Sequence, residues 1–551
     1  MRGAGFIKYG LLTIGLISAC FTLLSCVGNR SRLRNPASTV KAPTNSLPAE
    51  VLSDPQYLAA QEFDQWLQGR LSPQSSSVLN SKCRSHPTSS PFCFSVLNRE
   101  ELESRAKKAI VPQKKTSKRT LVAKFKNGKV SNWLDLRFSP VMASLRGLTR
   151  VKPSEIELLR MKALQEDHCP NNIATALAAF LEDELPNNIS LEKLAELYQK
   201  GGTCPTEDPN DAETLSTRAG LMFFAAKQWD KAEVCFQNSN QLKKAFRSRA
   251  LYWLSRVHEE KGNRSAAKKD IQELKHSYPF AFHTLMALTS RDEDPGEVLE
   301  RNEPSLLTRS QQAPQLNNLT EQVELLTQFG LLQAADKVLT WIISDSQNAE
   351  PEFMLYLSDL RESHGNQLGR LTILSNMLYA NPAFTSKSVM ERYFPKIYFP
   401  IFEKYSQGLD PYLLMALARR ESAFNPKAVS RAKAKGLMQI APHTQRKLTS
   451  LKNIFNPEDN ISLGSRYFSE LIQRTNGQIH LALASYNAGP NRVEIWSSRY
   501  PMSDPILFMD LIPYRETREY VASVLRNYYW YRRLHTDRSP SSVEQLIKTT
   551  P

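Results

Sequence analysis

Glu421 stands in the stretch Ala416-Leu-Ala-Arg-Arg-Glu-Ser-Ala-Phe-Asn-Pro426, whose residue types set up a carboxyl group able to act as a general acid. Asp410 suits an N-cap and Pro411 a first helical position, so a helix is expected to begin there. Pro426 pushes the residue before it out of the helical region, which predicts an end near Asn425. Glu421 then lies close to the helix C-terminus, where the partial negative charge disfavours a carboxylate. Its same-face neighbours Leu417, Ala418 and Phe424 are apolar, and Arg419 and Arg420 point elsewhere. Burial and dipole should together raise its pKa toward the range a general acid needs at neutral pH. A lone helical Glu is ordinarily solvated surface; the residues downstream set this one apart.

Downstream come Gly436-Leu-Met-Gln439, Ala484-Ser-Tyr-Asn-Ala-Gly-Pro490 and Ile512-Pro-Tyr-Arg-Glu-Thr-Arg-Glu-Tyr-Val521. With Glu421-Ser422, in this order and spacing, they resemble the catalytic domain of the family 1 lytic transglycosylases, in the large soluble type that carries a helical solenoid ahead of that domain. The resemblance is close over about 390–535 and one of style before that. It implies a mainly α-helical protein, a TPR-like α-solenoid followed by a lysozyme-like domain. It also implies cleavage of the MurNAc–GlcNAc β-1,4 bond of peptidoglycan, with no cofactor and no metal.

Ordinary glycosidases place two carboxylates around the scissile bond. Here no second acid accompanies Glu421 in the Glu-Ser or Gly-Leu-Met-Gln blocks, and the resemblance supplies a reason. One Glu protonates the glycosidic oxygen, then as carboxylate takes a proton from the C6 hydroxyl of the same MurNAc, leaving a 1,6-anhydro end. The high effective concentration of an intramolecular acceptor removes the need for a water-activating base. By the same resemblance Glu421 is the acid/base, Ser430 polarises the substrate near the N-acetyl group, Gln439 hydrogen-bonds the sugar, and Tyr486 and Asn487 flank the Glu, the Tyr hydroxyl helping to hold it. On their own, Ser430 and Gln439 read as loop or capping residues and Tyr486 as core.

Three departures from the family pattern stand out. Lys433 replaces a usual Gly and so calls for a backbone that needs no glycine. Ala441 replaces Met before Pro442. Asp510 replaces a Glu before the Ile-Pro-Tyr block, with a shortened reach toward substrate or an Arg partner. Two alternatives remain open: a water-using muramidase, with Asp510 as the only candidate second acid, and an inactive peptidoglycan-binding scaffold.

The 551 residues are too many for one core, and a formal charge of +16 suits an anionic polymer or surface. Residues 1–25 read as a lipoprotein signal, with Cys26 as the lipidated residue in preference to Cys20, and 26–50 as a flexible tether. The expected location is therefore the periplasm, lipid-anchored to the outer membrane. That export and the lack of a recognisable motif argue against nucleic acid as partner. Residues 51–390 form the expected solenoid, open to protein partners, with a basic loop region at about 72–130. Within it Arg105–Lys129 holds ten Lys or Arg and no acid. The segments beginning at Lys227 and Lys261 echo each other at 34 residues, the tetratricopeptide period, and Gly330/Ala334 echo Gly262/Ala266 at twice that. Residues 391–535 are the expected catalytic domain and 536–551 a loosely held polar tail. Cys83–Cys93 and Cys169–Cys204 are the natural disulfide pairs by proximity, with one thiol left over.

Overall fold

A computed structural model describes residues 54–86, 90–110, 153–165, 173–184, 189–203, 209–241, 247–301, 303–346, 349–448, 453–537 and 543–548. The expected signal and tether, Cys20, Cys26, Cys169, Cys204 and residues 111–130 of the expected basic region lie outside them. The described residues are mainly α-helical, with isolated bridges but no strand.

Neighbouring helices in sequence are neighbours in space: Leu191–Thr203 packs on Pro209–Ala225, which packs on Trp229–Gln241, and so on through Arg247–Glu260 and Arg264–Ser277. The turns that separate the helix pairs share one device. At Lys227, Gly262, Gly330 and Gly365 the chain enters the left-handed region. The next N–H reaches back five residues, as in Gln228 to Phe223 and Asn263 to His258, and likewise Leu331 to Leu326 and Asn366 to Arg361. This is the Schellman closure of a helix C-terminus. It aligns Lys227 with Gly262, one residue away from the pairing expected with Lys261, and confirms the spacing of Gly262 and Gly330.

Two apolar cores result. One joins Ala60, Phe63, Trp66 and Phe92 to Leu316, Val323, Ala335 and Trp341, so the first helices close against the later part of the solenoid. The other runs from Leu177 and Phe223 through Trp253 and Leu285 into Leu414, Phe468, Val524 and Trp530, so solenoid and C-terminal domain share a continuous interior. The loop expected from residue 72 is instead helical over Pro73–Ser85, Cys93–Leu97 and Arg99–Ile110. Buried Leu79, Cys83, Phe92, Val96 and Leu102, the Phe63–Phe92 stack and the Cys83–Cys93 disulfide anchor it where periodicity was weak. Cys235 is a buried free thiol.

The C-terminal domain is a cluster of helices around Pro411–Ser422. Asn456 caps Pro457–Arg474, which buries Ile461, Gly464, Phe468 and Leu471 along one face. Ile479–Ala488 stops at Gly489, after which Pro490 opens a new helix instead of breaking the chain. Arg515–His535 buries Tyr520, Val524, Tyr528 and Tyr531. The tail expected to be loose is partly docked: Val543–Ile547 is helical, and Leu546 and Ile547 are buried. Lys548 bridges to Gln478. Two apolar residues in a polar segment suffice because the Ile479–Ala488 and Arg515–His535 helices both offer them a surface.

Candidate active site

The helix that carries Glu421 starts as expected, with Asp410 accepting from the Tyr412 N–H and Pro411 in the first turn, but it ends at Ser422. Ala423 (φ 49°) and Phe424 (φ 62°) are both left-handed, a conformation costly for residues with a Cβ. Glu421 is thus the penultimate residue of the helix. It is half-buried, and burial pushes its carboxyl up to about 7. A hydrogen bond from the Tyr520 hydroxyl (2.7 Å) and the charge of Arg420 work against that rise, and the charge of Glu516 adds to it.

The four sequence blocks meet in a closed circuit of hydrogen bonds. Ser422 Oγ donates to the Leu437 carbonyl at 2.8 Å, joining the first block to the second. Tyr486 donates to the Met438 carbonyl at 2.7 Å, joining the third to the second. Thr517 donates to Asn487 Oδ1 at 2.7 Å, joining the fourth to the third. Tyr520 on Glu421 closes the ring from fourth to first. The hydroxyl that holds the Glu is therefore that of Tyr520, and Tyr486, expected in that role, holds the turn opposite.

That turn is pinned from a further side. Asn460, fully buried, accepts from the Met438 N–H (2.8 Å) and donates to the carbonyls of Lys435 (3.0 Å) and Ile454 (2.9 Å). Gly436, at φ 78°, lies so close that a Cβ would sit 2.1 Å from Asn460 Nδ2. Asn460→Ala strands a buried donor, the Met438 N–H, and a buried acceptor, the Ile454 carbonyl, while the Lys435 carbonyl keeps the Ile440 N–H. It should cost about 2–4 kcal/mol of stability, measured by urea unfolding.

Gln439 donates to the Ala428 (3.1 Å) and Gly436 (2.8 Å) carbonyls. Ser430 Oγ accepts from the Ala434 N–H at 3.0 Å and closes the loop between them. Lys433, exposed on that loop, sits at φ 63°, the backbone that the replaced glycine would adopt freely. The expectation of a conformation needing no glycine fails here: the Ser430–Ala434 hydrogen bonds impose the turn whatever the residue. Lys433→Gly should accordingly stabilise the protein by about 0.5–1 kcal/mol, read as a raised urea midpoint.

Of the two contacts expected for Asp510, substrate or an Arg partner, the structure shows the Arg partner. Asp510 is buried at the junction with the solenoid, not placed to meet a sugar. Its Oδ1 accepts from Arg249 Nε (2.9 Å), and its Oδ2 accepts from Trp253 Nε1 (2.7 Å) and His283 Nε2 (2.8 Å). The Arg249 guanidinium beside it holds the carboxyl below the usual range against the effect of burial. The shorter reach of Asp is met by an arginine from a helix 261 residues earlier, and both oxygens are committed. The acid whose charge does reach Glu421 is Glu516, exposed in the first turn of Arg515–His535.

Glu421 thus stands at the end of a helix in a helical domain that shares its core with a helical solenoid. Residues 399–508 match the family model described as "Transglycosylase SLT domain". The chain is 37% identical over 155 residues to the soluble lytic murein transglycosylase of Salmonella typhimurium, covering 26% of this chain and 24% of that one. It is 29% identical over 166 residues to membrane-bound lytic murein transglycosylase F of Histophilus somni, covering 27% and 33%. The aligned segment thus spans about a quarter to a third of these relatives. Over most of its length the fold is like that of lytic transglycosylase Slt from Pseudomonas aeruginosa, with TM-score 0.53, 18% identity, and 89% and 80% of the two chains covered. The 70-kDa soluble lytic transglycosylase solved with bulgecin A gives 0.51 at 19% identity, with the same coverage.

Proposed function

We propose that the protein is a peptidoglycan lytic transglycosylase that cleaves the MurNAc–GlcNAc β-1,4 bond without water and leaves 1,6-anhydro-MurNAc ends, in cell-wall turnover or remodelling. The observation that carries this reading is Glu421: a half-buried carboxyl raised to about 7, held by one tyrosine, inside an SLT domain. Near neutral pH such a group is available both as acid and as base. Protonated, Glu421 gives its proton to the glycosidic oxygen as the C1–O bond breaks. The carboxylate left behind takes the C6 hydroxyl proton as that oxygen bonds to C1, so Glu421 ends as it began. Tyr520 keeps its hydroxyl on the carboxylate in between.

Ser430 and Gln439 are the proposed sugar contacts. The Ser430 hydroxyl accepts from Ala434 and keeps its own proton to donate, while the Gln439 amide nitrogen is held on the loop and its carbonyl oxygen can accept. Tyr486 and Asn487 shape the floor through Met438 and Thr517. The division remains solenoid to about 390 and catalytic domain from 391. Basic surface on the solenoid would guide strands whose peptide stems carry carboxylates. Lipidation at Cys26 and outer-membrane anchoring rest on the sequence pattern. No helix among the described residues is long and apolar enough to cross a membrane.

The test is the pH dependence of muropeptide release from purified sacculi. The reaction starts from protonated Glu421, so the rate should fall as pH rises through about 7. A rate level from pH 5 to 9 would contradict the assignment.

A further inference from the structure

We propose that Arg249, a residue of the solenoid, is a positioning residue for Glu421 that acts through the Arg515–His535 helix and the Tyr520 hydroxyl. This rests on the role just given to Glu421. Arg249 grips two points of the catalytic domain at once: Asp510 through Nε (2.9 Å) and Glu519 through Nη2 (3.1 Å). Asp510 is the penultimate residue of the short helix Pro505–Leu511 before the Ile-Pro-Tyr block, and Glu519 lies in the second turn of the helix after it. The clamp therefore spans the bend at 512–514 and fixes the long helix in rotation as well as position. Within that bend Arg518 donates to the carbonyls of Ile512 (2.5 Å) and Pro513 (2.9 Å), and Arg218 to that of Leu511 (3.0 Å).

Glu519 and Tyr520 are adjacent on a helix, so their side chains leave it about 100° apart. With Glu519 turned to the solenoid, Tyr520 is turned to Glu421, which it meets at 2.7 Å. A clamp on one fixes the aim of the other. The charged and titratable groups around Arg249 are Asp510, Glu519, Arg518, Arg218 and Arg515, with His283 on the far oxygen of Asp510. Those facing Glu421 are Tyr520, Arg420, Glu516 and Tyr486. The solenoid on this account sets the protonation of the acid as well as delivering strands to it.

The test compares the full chain with Arg249→Lys, Arg249→Met, Glu519→Gln, Tyr520→Phe and the double variant Arg249→Lys/Tyr520→Phe. Muropeptide release is counted whatever the end chemistry, across pH. The Tyr520 hydrogen bond holds the Glu421 carboxyl down. Its loss should move the alkaline fall in rate upward by about half to one pH unit. Arg249→Lys, which keeps the charge but cannot reach both carboxylates, should produce the same shift as Tyr520→Phe, and the double variant no more. Glu519→Gln, isosteric and mild, should shift part of the way, which keeps the test alive if Arg249→Met does not fold. A lowered rate with an unmoved pH profile, or a shift in Arg249→Met without one in Arg249→Lys, would reduce Arg249 to a structural or a field effect and overturn the proposal. Amide hydrogen exchange gives a second readout that needs no turnover. Peptides covering 411–424 should exchange faster in Arg249→Lys and Tyr520→Phe alike. Unchanged exchange there overturns the proposal, whereas wild-type protein without turnover counts against the role of Glu421 alone.

Discussion

Glu421→Gln is expected to lower muropeptide release by about 10³-fold while leaving the fold intact. The amide keeps the size of the acid and can still accept from Tyr520, so the hydrogen-bond circuit among the four blocks survives. What it lacks is a proton to give and a carboxylate to take one back. Both steps rest on one group, so no residual half-reaction is expected, and binding to sacculi should be unchanged. A circular dichroism melt superposable on wild type, with release lost, is the full pattern. Release within tenfold of wild type would remove Glu421 from the chemistry.

Asp510→Ala should lower stability by about 3–5 kcal/mol, because it leaves Arg249 buried beside Trp253 and His283 without its main counter-charge. The wild-type pH dependence follows from the same contact. The folded carboxyl titrates below its unfolded value of about 3.9, so its stabilising contribution is complete above that pH. It is lost as pH falls further. Acid unfolding of wild type should therefore show a component below about pH 4 that Asp510→Asn lacks. A residue that touched substrate would behave otherwise, raising KM with the melting temperature unchanged, and that outcome would restore Asp510 to the cleft.

The start of the acid helix was legible because its determinants, Asp410 and Pro411, are local. Its end was not. The Pro426 rule places it near Asn425, but Ser422 is drawn onto the Leu437 carbonyl, and Ala423 and Phe424 turn left-handed before the proline is reached. Tyr520 sits in the right block of sequence but reads as one more apolar position on a helix that also buries Val524, Tyr528 and Tyr531. Only the approach of two helices tells a core tyrosine from one aimed at Glu421. Asn460 could have been suspected as a polar residue on the buried face of an amphipathic helix, since such a residue must find partners. Asp510 could not have been placed from its own neighbourhood, for its partners come from Arg249, Trp253 and His283 far back in the chain. The family-like spacing located the blocks, and packing between distant helices assigned the hydroxyls and carboxylates within them.

The central claim is the identity of the acceptor, and the chemistry of the released ends reports it directly. Mass spectrometry of muropeptides freed from purified sacculi by protein lacking residues 1–26 should show MurNAc ends lighter by one water than reducing ends, the 1,6-anhydro form, and none of them with Glu421→Gln. Reducing ends from the wild-type protein would contradict the account. They would mean that water is the acceptor, with Glu516, the carboxylate whose charge reaches Glu421, as the group to activate it.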